Sequence, residues 1–235
     1  MMESVVLDTV YRSTDEDHLL FINRIRTEQP TRSRVMEYFG DRHWSGHTLD
    51  ESVAYGMELA EKTKDGMFYW LTSTNRGASE VCAAALRCIG VAKEAEKGYL
   101  CDPATKSTLR ILAKKGVLIR LSRNFDKQRG FVNGAYAVIE DALRGNAVFT
   151  ARLIGTGNMV LVHPMEEDGS LFLPCCYGYA TTIRRAQGSS LDLGCLYFDQ
   201  RRHHAGRGYG YVGVSRFRTR AGCFLYGKLR QTDFL

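Results

Sequence analysis

The 235-residue chain has no apolar run near the roughly 18 residues of a membrane span. Its start, MMESVVLDTVYRSTDED, is acidic rather than basic-then-apolar. Neither a spanning segment nor a signal peptide is expected. Internal repeats and low-complexity tracts are missing, and 44% hydrophobic with 25% charged residues excludes a disordered tail, a collagen and a coiled coil. The seven cysteines include no CxxC pair, so reduced thiols in the cytosol or nucleus are the expectation. His43 and His47 stand four apart, but no paired cysteines accompany them, and no metal site is assigned. No Ser-His-Asp or Cys-His signature stands out, which leaves Cys175 and Cys176 as candidate nucleophiles for one rival reading, an unrelated α/β thiol enzyme.

A working phosphate loop is also lacking. GCFLYGKL, Gly222 to Leu229, has the spacing of G-x-x-x-x-G-K-[ST] but ends in Leu229, and its intervening residues are bulky and β-prone where the loop must wrap phosphate. A strand and a turn are predicted there instead. CLYFDQ places Asp199 at the end of an apolar strand, as in acids that hold magnesium, although any buried strand ending in a solvent-facing acid reads the same way.

What is present is unevenly charged. Residues 1 to 110 hold 14 Lys/Arg against 17 Asp/Glu, net −3, and residues 111 to 235 hold 18 against 9, net +9. A basic half of this kind attracts polyanions through the salt-dependent phosphate contribution.

Ser13 or Thr14 before acidic residues predicts a helix start. Leu19, Leu20, Ile22, Asn23 and Ile25 predict its apolar stripe, after a short opening strand at VVL. Asp50 to Lys64 is a second amphipathic helix with Val53, Met57 and Ala60 on one face. FYWLT is a buried strand, and TNRGASEVCAAALRCIG turns through Gly77 into an alanine-rich helix ending at Gly90. From residue 111, VLIRLSR, FVNGAYAVIED, AVFTARL and MVLVHP are short β-prone runs that predict a small barrel. After Leu171 a helix at YGYATTIRRAQG, a strand at GCLYFD, a helix at GYGYVGVSRFR and a strand at CFLYG restore α/β alternation. The expected organisation is an α/β domain in two parts, 1–110 and 173–235, interrupted by a β-barrel insertion at 111–172.

Two segments carry chemistry. In YATTIRRAQGSSLD, Tyr179 to Asp192, the residues Thr182, Arg184 and Arg185 precede Gln187 and Gly188. In GYVGVSRFR, Gly210 to Arg218, Ser215 and Arg216 end a run of small residues that would pack closely. An arginine placed by packing suits phosphate recognition through its planar fork.

Taken in order, these segments resemble motifs V and VI of Pif/RecD-type superfamily 1 DNA helicases. KKGVLIRLSRNFDKQRGFVNGAYAVIED, with Asn124, Gly130, Asn133 and Gly134 in register, resembles the family segment that introduces a small Src-homology-3-like (SH3-like) barrel. VYRS around Arg12 followed by FINRIR resembles motif IV, and TSTNRGASEVCAAAL resembles a later family segment. The resemblance runs from motif IV to the terminus and lacks the phosphate loop and Asp-Glu motif of the preceding domain. It implies the C-terminal half of a helicase, a RecA-like second domain with a barrel insertion. It departs at motif V, where the usual His is Arg184.

The resemblance further implies that Arg12 and Arg216 act as arginine fingers on ATP, with Gln187, Gly188 and Ser215 beside the nucleotide. ATP and Mg²⁺ would be held mainly by a first RecA-like domain, supplied in cis or in trans. Thr182, Arg184, Arg185, Lys127, Arg129 and Asn133 would meet single-stranded or forked DNA. The implied setting is the nucleus or another intracellular DNA compartment, in repair or recombination, with no membrane partner. By itself the chain would hydrolyse no ATP; the other reading is a non-catalytic nucleic-acid-binding remnant.

Overall fold

The computed structural model describes residues 13–142, 147–199, 208–227 and 234. The opening VVL strand and Arg12 lie outside them. Helices α1 (Glu16–Thr27) and α2 (Arg32–Phe39) lead to strand β1 (His43–Trp44), helix α3 (Leu49–Ala60), strand β2 (Tyr69–Thr72) and helix α4 (Asn75–Cys88). After the one-turn α5 (Ala92–Ala95) the chain turns to strands. These are β3 (Tyr99–Leu100), β4 (Arg110–Ile111), β5 (Leu118–Leu121), β6 (Tyr136–Ala142), β7 (Phe149–Leu153), β8 (Met159–Val162), β9 (Met165–Glu167), β10 (Ser170–Phe172) and β11 (Cys175–Tyr177). Then β12 (Ala180–Thr182), β13 (Gly194–Tyr197), α6 (Tyr209–Val214) and β14 (Cys223–Tyr226) follow.

The first and last parts of the chain share one all-parallel sheet, ordered β1-β14-β13-β2-β12. Side chains on its strands alternate between two cores, as the two-residue period demands. Trp70 and Cys195 face one cluster with α3 and α4; Leu71, Leu196, Cys223 and Leu225 face the other with Phe21, Ile25, Phe39, Val214 and Phe217. Full burial of a side chain such as Phe39, 1% exposed, contributes roughly 2 to 3 kcal/mol. Between β2 and β12 lies a second sheet, antiparallel, ordered β11-β5-β6-β7-β8, whose Ile119, Ile139 and Ala151 continue the first cluster. The α/β construction with an all-β segment inside it is therefore observed. The hydrogen bonding is that of an open sheet with β8 and β11 at its edges, and it does not establish an SH3-like barrel.

Several local expectations are corrected. The cap of α1 is Asp15, whose carboxylate accepts the His18 amide, while Ser13 Oγ accepts the Asp15 amide. Its buried face is His18, Phe21, Ile22 and Ile25; Leu20 is exposed, Leu19 is half-buried and Asn23 points to solvent. Helix α3 opens with a reciprocal Thr48–Glu51 capping box, one residue ahead of the predicted start, and Met57 and Ala60 are partly rather than fully covered. Gly77 is no turn: it sits in the first turn of α4, capped by Thr74. A Cβ there would lie 2.3 Å from Asp199 Cγ, so only glycine allows the carboxylate its place. YGYATTIRRAQG is not helical. It is strand β12 followed by tight turns at 183–188, because its β-branched Thr181, Thr182 and Ile183 are buried in the parallel sheet.

Candidate functional site

The loop 183–191 carries the chain from β12 to β13, and the segment 215–222 carries it from α6 to β14. The two are tied by a parallel bridge, Leu191 to Phe217, in which the Leu191 amide donates to the Arg216 carbonyl at 2.8 Å and the Arg218 amide donates to the Leu191 carbonyl at 2.9 Å. Residues that the sequence separates are thereby neighbours. The small residues of α6 allow this. A Cβ on Gly213 would come within 2.7 Å of Leu196 Cδ2, so the helix lies directly on β13.

Arg216 follows that helix, half-buried, with Nε donating to the Val212 carbonyl (3.1 Å) and Nη2 to Ser215 Oγ (3.0 Å). Ser215 is buried and donates to the Val212 carbonyl. The segment is braced from α1 and α2. His18, fully buried, lies 2.9 Å through Nε2 from the Phe217 carbonyl and 2.6 Å through Nδ1 from Tyr38 Oη. A carbonyl only accepts, so Nε2 carries the proton and the tyrosine hydroxyl donates to Nδ1. Burial holds the His18 pKa below its ordinary value, which keeps the ring neutral. Asp15 accepts the Arg220 amide at 2.7 Å and completes the brace.

On the other side, Gln187 and Arg185 line a cavity of about 280 Å³ together with Thr181, Tyr136 and Arg120. A second cavity of about 320 Å³ is lined by Asn133, Ser122 and Thr105, and it shares Arg120, Gly134 and Arg185 with the first. Arg185 donates to the carbonyls of Thr105 (3.0 Å) and Ala104 (2.8 Å). Its pKa is lowered by burial first and then by the like charge of Arg120. The 102–105 loop that receives it is anchored by Asp102. That buried carboxylate accepts from Arg123 Nε (2.6 Å) and Nη2 (3.0 Å), Ser122 Oγ (2.7 Å) and the Ala104 amide (2.9 Å).

The remaining predicted residues are dispersed. Thr182 is buried, and its hydroxyl accepts the Arg185 amide. Arg184 and Gly188 are exposed on the loop. Lys127 and Arg129 are exposed between β5 and β6, with Arg129 Nε 3.5 Å from Asp126. Asn133 donates its amide to Asn124 Oδ1 at 2.8 Å. Arg12 lies outside the described residues. Sequence reasoning missed Arg120, Thr181, His18 and Asp102. For Arg120 a signal existed: one cation inside the apolar run VLIRL.

Other candidates lose their chemistry. Asp199 accepts from the amides and hydroxyls of both Ser73 and Thr74, so its carboxylate is engaged by the start of α4. The phosphate-loop look-alike contains strand β14, as expected. His43 Nε2 is bonded to the Gly227 carbonyl, and no cluster of metal-ligating side chains occurs among the described residues. Cys175 and Cys176 are buried on β11, and burial pushes the Cys175 thiol well up, the opposite of an activated nucleophile.

A parallel sheet covered by helices on both faces, with the loop after β12 bridged to the arginine-bearing segment before β14, is a RecA-like architecture. No protein-family profile matches the chain. The ATP-dependent DNA helicase PIF1 of Xenopus laevis is 31% identical over 134 residues, which cover 53% of this chain and 20% of that protein. Among solved structures, Bacteroides Pif1 helicase with ADP-AlF3 and single-stranded DNA superposes with a TM-score of 0.68 at 18% identity, over 98% of this chain and 53% of that one. Candida albicans Pif1 helicase gives 0.64 at 16% identity, over 100% of this chain and 58% of that one. In fold, and over those 134 residues in sequence, the chain resembles the C-terminal half of Pif/RecD-like superfamily 1 helicases. It spans about half the length of these solved structures and a fifth of the frog protein.

Proposed function

We propose that the chain is the second motor lobe of a Pif1-type DNA helicase and works against a first RecA-like lobe that holds ATP and Mg²⁺. The observation that carries this reading is the Leu191–Phe217 bridge, which ties the end of the loop carrying Gln187 and Gly188 to the arginine-bearing segment after α6. Arg216 would present its guanidinium to the γ-phosphate from the cleft rim, with Arg12 as its partner and Gln187, Gly188 and Ser215 beside the nucleotide. The bonds to the Val212 carbonyl and Ser215 Oγ support that role by fixing the fork before the cleft closes. Single-stranded or forked DNA would lie along Arg184, Arg185 and Asn133, with Thr182 close by and Lys127 and Arg129 toward the duplex. The surrounding unit would fall into 1–110 and 173–235 around an insertion at 111–172, in the nucleus or another DNA compartment.

The bound nucleotide would supply the reactive phosphate, and this chain's own groups would orient and neutralise it. Asp199 is engaged by Ser73 and Thr74, so this reading gives it no role at magnesium. The test is reconstitution. The chain alone should hydrolyse no ATP, and with the first lobe supplied in trans R216A should lower DNA-stimulated ATPase by roughly 10³-fold or more. ATPase activity of the chain alone, or a reconstituted R216A as active as wild type, refutes the motor assignment; the latter result leaves a nucleic-acid-binding remnant.

A further inference from the structure

The two adjoining cavities have a shared peculiarity. Among the described residues no Asp or Glu lines either one, yet Arg120 and Arg185 line both. Among the described residues neither arginine forms an ion pair. Arg120 projects from β5, and among the described residues its one hydrogen-bond contact is Nη2 to Cys176 Sγ at 3.7 Å, while its buried Nε has no partner there. Thr181, 7% exposed on β12, lines the first cavity, and its Oγ1 is likewise buried without a partner. A half-buried cation with no counter-charge and a hydroxyl with no acceptor are each unfavourable unless something supplies the missing acceptor. Two such orphans at one cavity call for the same thing, an anionic oxygen donor to neither and acceptor to both.

We propose that Arg120, Thr181 and Arg185 form a subsite for one phosphate of a single-stranded nucleic acid, at the junction of the parallel and antiparallel sheets. The inference rests on the helicase reading and adds to it a residue, Arg120, that the motif resemblance does not assign. Cavities of about 280 and 320 Å³ suit a single phosphate with part of its sugar rather than a duplex, being at the small end of ligand pockets. Arg185 is already positioned by the Ala104 and Thr105 carbonyls, and Asn133 lines the second cavity beside it.

The test uses the full chain and fluorescein-labelled oligo(dT). R120M should weaken binding about tenfold and reduce the slope of log affinity against log salt by about 0.7, the loss of one phosphate contact. Its melting temperature should stay level or rise, because an unpaired charge has been replaced by an apolar side chain of similar length. T181V, nearly isosteric, should weaken binding about threefold with no loss of thermal stability. The subsite is refuted if T181V binds as wild type does, or if a folded R120M keeps both the affinity and the salt slope. A lowered melting temperature in both variants would assign the two side chains to the fold and also refute it. Inorganic phosphate that saturates as tightly as oligo(dT) would assign the site to a free anion instead of a strand. Absence of any oligo(dT) binding by wild type would overturn the nucleic-acid reading itself, whereas intact wild-type binding indifferent to both substitutions would overturn the subsite alone.

Discussion

Replacing Asp102 by alanine should be among the most damaging single changes in the antiparallel half. The carboxylate is 0% exposed and accepts from Arg123 Nε and Nη2, from Ser122 Oγ and from the Ala104 amide. Removing one partner of a buried ion pair costs about 3 to 5 kcal/mol. Arg123 retains Glu167 at 2.8 Å and is 31% exposed, so the stranded cation stays partly compensated and the lower figure, about 3 kcal/mol, applies. For a chain of this size that is a fall of roughly 6 to 12 °C in melting temperature. The acid dependence has a definite sign. Burial pulls the Asp102 pKa up, but the bonds from Arg123, Ser122 and the Ala104 amide outweigh it and hold the pKa below the ordinary 3.8. A depressed pKa gives stability that is present above 3.8 and lost as pH falls through the folded value, so the gap between wild type and D102A should narrow below about pH 4. Calorimetric melts of both proteins at pH 7 and pH 3 measure this. A D102A protein melting within about 2 °C of wild type at pH 7, or a gap that stays constant into acid, would refute the account. Because the anchored loop receives Arg185, D102A should also weaken oligo(dT) binding.

Two further expectations concern buried groups. His18 is neutral with its folded pKa below 6.5, so the unfolded chain takes up the proton first and stability should fall as pH drops below about 6.5, by up to ~1.4 kcal/mol per pH unit. H18L should flatten that stretch of the stability–pH curve measured by urea unfolding, and a flat wild-type curve between pH 6.5 and 5 would count against the neutral brace. Of the seven free cysteines only Cys88 is exposed, so Ellman's reagent should titrate one thiol per native chain and seven after unfolding. Peptide mapping that finds Cys175 or Cys176 modified first would revive a thiol-based chemistry.

Local patterning makes much of the architecture readable in the sequence. FYWLT, GCLYFD and CFLYG are apolar runs short enough to be buried parallel strands, and α3 and the alanine-rich α4 follow hydroxyl caps with acidic or small residues behind them. The motif order around Arg185, Gln187 and Arg216 carries the resemblance to a helicase lobe because each motif is made of adjacent residues. YGYATTIRRAQG departs from its expected helix: its small and polar residues suit a helix in isolation, while burial beside Trp70 and Thr72 makes Ala180–Thr182 a strand.

Sequence by itself determined most of the elements, the skew of positive charge toward the second half and the identity of the motif residues, since these depend on neighbours within a few positions. Tertiary structure alone decided that Leu191 meets Phe217, that His18 holds the Phe217 carbonyl, and that Arg120 and Thr181 share a cavity. Those pairings come from strands and helices far apart in the chain. Their chemistry lies in a distance and a missing partner, and neither is encoded at any one position.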